Sequence, residues 1–197
     1  MLKRDELVEM KKFVGLAFLL CVLLPACHSI QREGTKDSNP ASQVRPLKRI
    51  TQDGEGLAAA SKPTNVVQGQ IIYVPAYSHI YEGKGDQYLL SVTLSIRNTS
   101  LTTPILIRSI RYHDSVGKLV KEYAKGYSRL APLASTEFFI PDQDTSGGAG
   151  ANFIVEWVAE QTVTEPIVET VMISTSFQQG ISFTAAGRVI QTLKPSN

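Results

Sequence analysis

Residues Leu90, Val92, Leu94 and Ile96 alternate with Ser91, Thr93, Ser95 and Arg97. Side chains of an extended strand point to opposite faces in turn, so this alternation describes a strand with one buried face. A helix would scatter the same apolar residues around its circumference. The rest of the chain after Thr64 repeats the theme in short runs. Val66 to Val74 is rich in β-branched residues. Pro104 leads into ILIRSIRY, whose alternation slips near Arg108-Ser109, as a β-bulge requires. Asp114-Ser115-Val116-Gly117 has the chemistry of a type I turn, and Leu119 to Tyr123 returns from it as the partner strand. The spacing of Leu119, Tyr123 and Tyr127 would also suit a helix, but the hairpin signal favours a strand.

Further strands are expected at Thr136 to Ile140, along the Phe153, Val155, Trp157 face, and along a face of Ile167, Val171, Ile173 and Phe177. A last one begins at Ile181 and Phe183, with Gly180 and Gly187 as punctuation. About seven to nine short strands and no long amphipathic helix predict an all-β, immunoglobulin-like two-sheet β-sandwich. A jelly roll or a small β-barrel is the alternative. Trp157, the only tryptophan, is expected to anchor the core.

The amino terminus is of another kind. Met1 to Lys12 is polar and carries Lys3, Arg4, Lys11 and Lys12, and Phe13 to Leu24 then reads FVGLAFLLCVLL without a charge. As a helix this run spans roughly 18 Å, short of the ~30 Å hydrocarbon core. A basic start, a short apolar stretch and a small-residue site describe a secretory signal peptide. Leu24-Pro25-Ala26-Cys27 resembles the lipobox of bacterial lipoproteins. The resemblance implies cleavage between Ala26 and Cys27 and acylation of the Cys27 thiol. Cys21 would leave with the peptide. His28 follows, and the absence of aspartate there points, by the same resemblance, to the outer membrane.

Three regions are therefore expected: a signal peptide over 1–26, a lipidated terminus and flexible tether over 27–64, and a β-sandwich over 65–197. The tether reading rests on Gly, Ser, Asn, Pro, Gln and scattered charges with no sustained period. Lys and Arg number 20 against 18 Asp and Glu, so charge gives no reason to expect a nucleic-acid partner. Two cysteines exclude a disulfide-dense scaffold.

Few residues suggest chemistry. Asp142-Gln143-Asp144-Thr145-Ser146-Gly147 resembles the opening of a calcium loop, but Phe153 stands where an EF-hand needs its bidentate glutamate. Asp142 and Asp144 remain candidate ligands of a different calcium site. The Gly147 to Asn152 run precedes a strand rather than a helix, so it does not match a phosphate cradle. Tyr73, Tyr77, His79 and Tyr81 occupy alternate positions and would share a face suited to a sugar or peptide. Ser78 and His79, being adjacent, would point to opposite faces. No G-x-S-x-G motif is present, and Asp142, Asp144, Glu156, Glu165 and Glu169 include no selected pair.

Two segments carry a family resemblance. One is YVPAYSHIY from Tyr73 to Tyr81, followed by LLSVTLSIRNTS. The other is GGAGANFIVEW from Gly147 to Trp157, followed by EPIVETVMIS and QGISF. Together they resemble a bacterial domain of unknown function, family 3124, over about Gln70 to Ile190. The resemblance implies an exported bacterial protein and supplies no activity. The expected function is a lipid-anchored cell-envelope lipoprotein, facing the periplasm or on the outer membrane, with a non-catalytic binding or assembly domain. Its partners would be the membrane, through acylated Cys27, and an envelope protein or surface polymer. Two alternatives stay open: an envelope hydrolase using carboxylates or His79, and a calcium-dependent adhesion or assembly module built on Asp142 and Asp144.

Overall fold

The computed structural model describes residues 56–175 and 180–195. The signal peptide, Ala26, Cys27 and most of the tether lie outside the described residues, as does Phe177. The described residues form twelve strands and no helix. They are β1 (Ala58–Ala59), β2 (Gln68–Pro75), β3 (His79–Glu82), β4 (Asp86–Leu89), β5 (Ser91–Arg97), β6 (Ile105–His113), β7 (Leu119–Leu130), β8 (Ser135–Ile140), β9 (Asn152–Ala159), β10 (Ile167–Ser174), β11 (Ile181–Ala186) and β12 (Arg188–Thr192).

The order β1-β7-β6-β9-β2-β12 makes a six-stranded sheet, and β11-β10-β5-β8 a four-stranded one. Strands β3 and β4 form a separate hairpin. All pairings are antiparallel. Neither large sheet closes on itself, which removes the small-barrel alternative and leaves the β-sandwich.

One apolar cluster joins the sheets. Ile72 and Val74 of β2, Ile107 and Ile110 of β6, and Phe153, Val155 and Trp157 of β9 come from the larger sheet. Val92, Leu94 and Ile96 of β5, Phe138 and Ile140 of β8, and Val168 and Met172 of β10 come from the smaller. Trp157 is fully buried, as an anchor should be. The slip in β6 is real: register against both β7 and β9 shifts between Ile107 and Ser109. The hairpin turn is also real. The Gly117 amide donates to the Asp114 carbonyl at 3.0 Å, and Gly117 takes the positive φ of 83° that the turn demands.

Three expectations need correction. The face of β10 holding Ile167, Val171 and Ile173 points outward, with Ile167 half-exposed. Val168, Thr170, Met172 and Ser174 point inward instead. The inward Thr170 is tolerated because its hydroxyl donates to the Pro75 carbonyl at 2.6 Å across the sandwich. The strand begun at Ile181 is two strands, parted at Gly187, where the chain leaves the smaller sheet for the edge of the larger. A side chain at Gly187 would put its Cβ 2.6 Å from Ile72 Cγ2 and 2.8 Å from the Val168 oxygen, so only glycine passes. The folded part also starts before Val66: Ala58 and Ala59 pair with Arg129 and Ser128, and Leu57 packs against the core.

Candidate functional site

Two parts of the domain concentrate polar groups. The first is the pole where β2, β6 and β9 meet their loops. The residues after β2 bend away from the strand, so Ser78 and His79 do not point to opposite faces. The Ser78 amide donates to the Gly148 carbonyl at 3.2 Å, and the Ala76 amide to the Ala151 carbonyl at 2.9 Å. The glycine loop thus packs beside the tyrosine-histidine segment. These two candidate regions, far apart in sequence, lie at one pole. Ser115 stitches the β6–β7 turn to the same loop: its Oγ donates to the Gly147 carbonyl at 3.0 Å and accepts the Gly150 amide at 2.8 Å.

Within this pole His79 and Tyr81 come together, their rings edge to face at 5.2 Å, with His79 Nε2 3.2 Å from the Tyr81 hydroxyl. His79 Nδ1 lies 3.2 Å from Ser78 Oγ. Both His79 and Ser78 are buried, while Tyr81 is exposed. Tyr77 turns elsewhere, edge-on to Phe183 at 5.9 Å. Tyr73 sits in β2 between Ile154 and Arg188, so the four residues do not make one continuous face. Asp144 Oδ1 accepts both the Ser146 amide and the Ser146 hydroxyl, at 3.1 and 2.5 Å. Among the described residues no three His, Cys, Asp or Glu gather as a metal-holding group.

Beneath the glycine loop lies Tyr112, buried, with its ring 4.9 Å from Phe153. Its hydroxyl has no hydrogen-bond partner among the described residues. Burial pushes its acidity constant well above the usual tyrosine value, and Asp144, Tyr123 and Asp114 push it the same way. A Cβ on Gly147 would run into that hydroxyl.

The second part is the outer face of the six-stranded sheet. Ser109, Arg111 and His113 take successive outward positions on β6, opposite Glu156, Ile154 and Asn152 of β9. Those in turn stand opposite Ile71, Tyr73 and Pro75 of β2. Arg188 of β12 completes the row through Tyr73. Ser109 Oγ, Arg111 Nε and His113 Nδ1 are shielded from solvent and have no hydrogen-bond partner among the described residues. Glu156, by contrast, is taken: Arg108 Nη1 holds its Oε1 at 2.7 Å. The strands of this sheet carry Arg108, Arg111, Lys121, Lys125, Arg129 and Arg188 against Glu122 and Glu156. The smaller sheet carries Arg97 against Glu137 and Glu169. Sequence reasoning did not select this face. The slip at Arg108-Ser109 obscured the phase of β6, and no local signal joins β12 to β2.

A family model described as a protein of unknown function, DUF3124, matches residues 69–190. The chain belongs to this family. The match runs from β2 to β12 and so takes in the four-stranded sheet and the six-stranded sheet apart from β1. No curated protein matches the sequence. The crystal structure of Thermotoga maritima 1070 is similar at 14% identity, covering 60% of this chain and 92% of that one, with a TM-score of 0.35.

Proposed function

We propose that this protein is a lipid-anchored component of the bacterial cell envelope whose β-sandwich binds a partner and performs no chemistry. The observation that carries the reading is the order of parts in the sequence: an apolar run of twelve residues, Leu24-Pro25-Ala26-Cys27 at its end, a polar spacer, then a single folded domain. Acyl chains on Cys27 would each add about 0.8 kcal/mol per buried CH₂, enough in combination to hold the chain on a bilayer.

The domain's layout supports the binding half of the reading. The chain joins the sandwich through β1, paired to Arg129 and Ser128 near the end of β7. The glycine loop and the Asp114 turn lie at the other end of that strand, so the loops of that pole are left clear of the point where the chain enters the domain. Ser78 Oγ is buried and shares its proton network with His79 and Tyr81, an arrangement that fixes the loop rather than presenting a nucleophile.

Fractionation of cells expressing the native chain and Cys27→Ser tests the anchor. The native protein is expected in membranes, and the variant in the soluble fraction or retained with its signal peptide. A Cys27→Ser chain that is still processed and membrane-bound contradicts the reading.

A further inference from the structure

We infer that β11 is a self-pairing edge, through which a second copy of this chain extends the four-stranded sheet into one of eight strands. The inference goes beyond the envelope role proposed above and does not depend on it.

β11 ends the order β11-β10-β5-β8, so one of its sides has no strand beside it among the described residues. The ladder to β10 fixes which groups face that side. Gly187 donates its amide to the Val168 carbonyl at 2.8 Å. Bonded pairs alternate along an antiparallel ladder, so Ala185, Phe183 and Ile181 also bond toward β10, opposite Thr170, Met172 and Ser174. The amides and carbonyls of Ser182, Thr184 and Ala186 therefore point to the open side, and all three residues are exposed. An open edge of this kind is a template for another strand.

The other edges of the large sheets are guarded. β8 carries Glu137, and β7 carries Lys121, Glu122 and Lys125. β12 opens on Arg188 and slips register between Val189 and Gln191, and β1 has two residues. β11 reads ISFTAA from Ile181 to Ala186, with no charge, no proline and no shift of register.

This edge also suits a copy of itself. In an antiparallel two-fold pair centred on Thr184, Thr184 faces its own copy, Ser182 faces Ala186 and Phe183 faces Ala185. Each outward residue then exchanges backbone bonds with an outward residue of the copy. Phe183, which packs edge-on against Tyr77, meets a small residue, and the threonine hydroxyls meet on the outer face. The pairing also brings the start of one strand to the end of the other. Exposed Ile181 lies at that start, and exposed Val189 and Ile190 follow the end, so apolar groups are covered at both ends. Such a contact is isologous and closes at two copies. A strand of about 20 Å makes a small interface, so the dimer is a weak one.

The test uses the full chain in a neutral detergent, followed by sedimentation across micromolar to millimolar concentrations. The native chain is expected to dimerise reversibly. Thr184→Lys sets two like charges against each other and should raise the dissociation constant about tenfold or more. Because the Thr184 side chain is exposed, that variant should melt with the native chain at dilution. Under mild oxidation Thr184→Cys should link two copies, its Cα atoms being about 5.5 Å apart in the pair. Ser182→Cys would stand about 13 Å from its copy and should link no more than the native chain, which carries Cys21 and Cys27. In the native protein, hydrogen exchange at the Ser182, Thr184 and Ala186 amides should slow as concentration rises, while Phe183 and Ala185 stay unchanged. The inference is overturned if the native chain stays monomeric, if Thr184→Lys associates as the native chain does, if Ser182→Cys links as readily as Thr184→Cys, or if the outward amides do not respond. Every variant keeps Cys27, so failure of the pairing leaves the anchor standing, and failure of the anchor leaves the pairing unchanged.

Discussion

Gly147→Ala should destabilise the sandwich through a specific collision. The new methyl would run into the Tyr112 hydroxyl, with Tyr112 Cζ 2.5 Å away and Ala151 Cβ 2.7 Å away. Ordinary contact begins near 3.4 Å. Tyr112 cannot swing aside, because it is buried and packed on Phe153. The loop must therefore move, pulling on the Ser115 hydrogen bonds to Gly147 and Gly150. Overpacking of this kind costs about 1 to 3 kcal/mol. For a domain of this size that lowers Tm by roughly 3 to 12 °C. Tyr112→Phe alone removes a buried hydroxyl without a partner among the described residues, so it should be neutral or stabilising. It also removes the nearest colliding atom, so Tyr112→Phe with Gly147→Ala should recover part of the loss. Urea and thermal melts of the four proteins give the coupling directly. A Gly147→Ala protein that melts with the native chain, or a double variant showing no coupling, refutes the reasoning.

Other outcomes follow from the same structure. Tyr112 has its acidity constant raised on folding, so the neutral form is favoured in the folded state. Its contribution is complete below the unfolded value of about 10 and is lost as pH rises above it; alkaline melts should show a steeper fall for the native chain than for Tyr112→Phe. Asn98 is buried, donates from Nδ2 to the carbonyls of Thr103, Leu130 and Ala131, and accepts the Ser100 amide. Asn98→Ala should therefore cost about 2 to 4 kcal/mol in urea unfolding, since several partners are stranded at once. Gly187→Ala should lower stability by about 1 to 3 kcal/mol, measured the same way, by colliding with Ile72 and the Val168 carbonyl at the crossover. Calcium and a chelator should leave Tm unchanged, because Asp144 already serves Ser146; a calcium-dependent rise in Tm would support the adhesion-module alternative instead.

The parts legible in the sequence were those governed by local alternation. The β5 strand, the β6 bulge, the Asp114 turn and the buried Phe153, Val155, Trp157 face all follow from period two and turn chemistry. The face of β10 was misread because its outer side is as apolar as its inner side. Val171 and Ile173 point out, while Thr170 points in and is satisfied by the Pro75 carbonyl. That partner lies far away in sequence, and no local pattern announces it. The same holds for Ser78 and His79, whose opposed directions assumed a strand that the chain does not continue past Pro75. The row from Arg188 through Tyr73 and Ile154 to Arg111 comes from four strands, three of them distant in sequence. Only the sheet order assembles it.

The central claim is that the sandwich works as a lipid-anchored module of the envelope. Intact-mass spectrometry of the mature protein, purified from the membranes of cells expressing the full chain, tests this most directly. The account predicts a chain beginning at Cys27 whose mass exceeds that of Cys27–Asn197 by attached acyl groups. A mature chain that begins elsewhere, or that begins at Cys27 with no added mass, contradicts it.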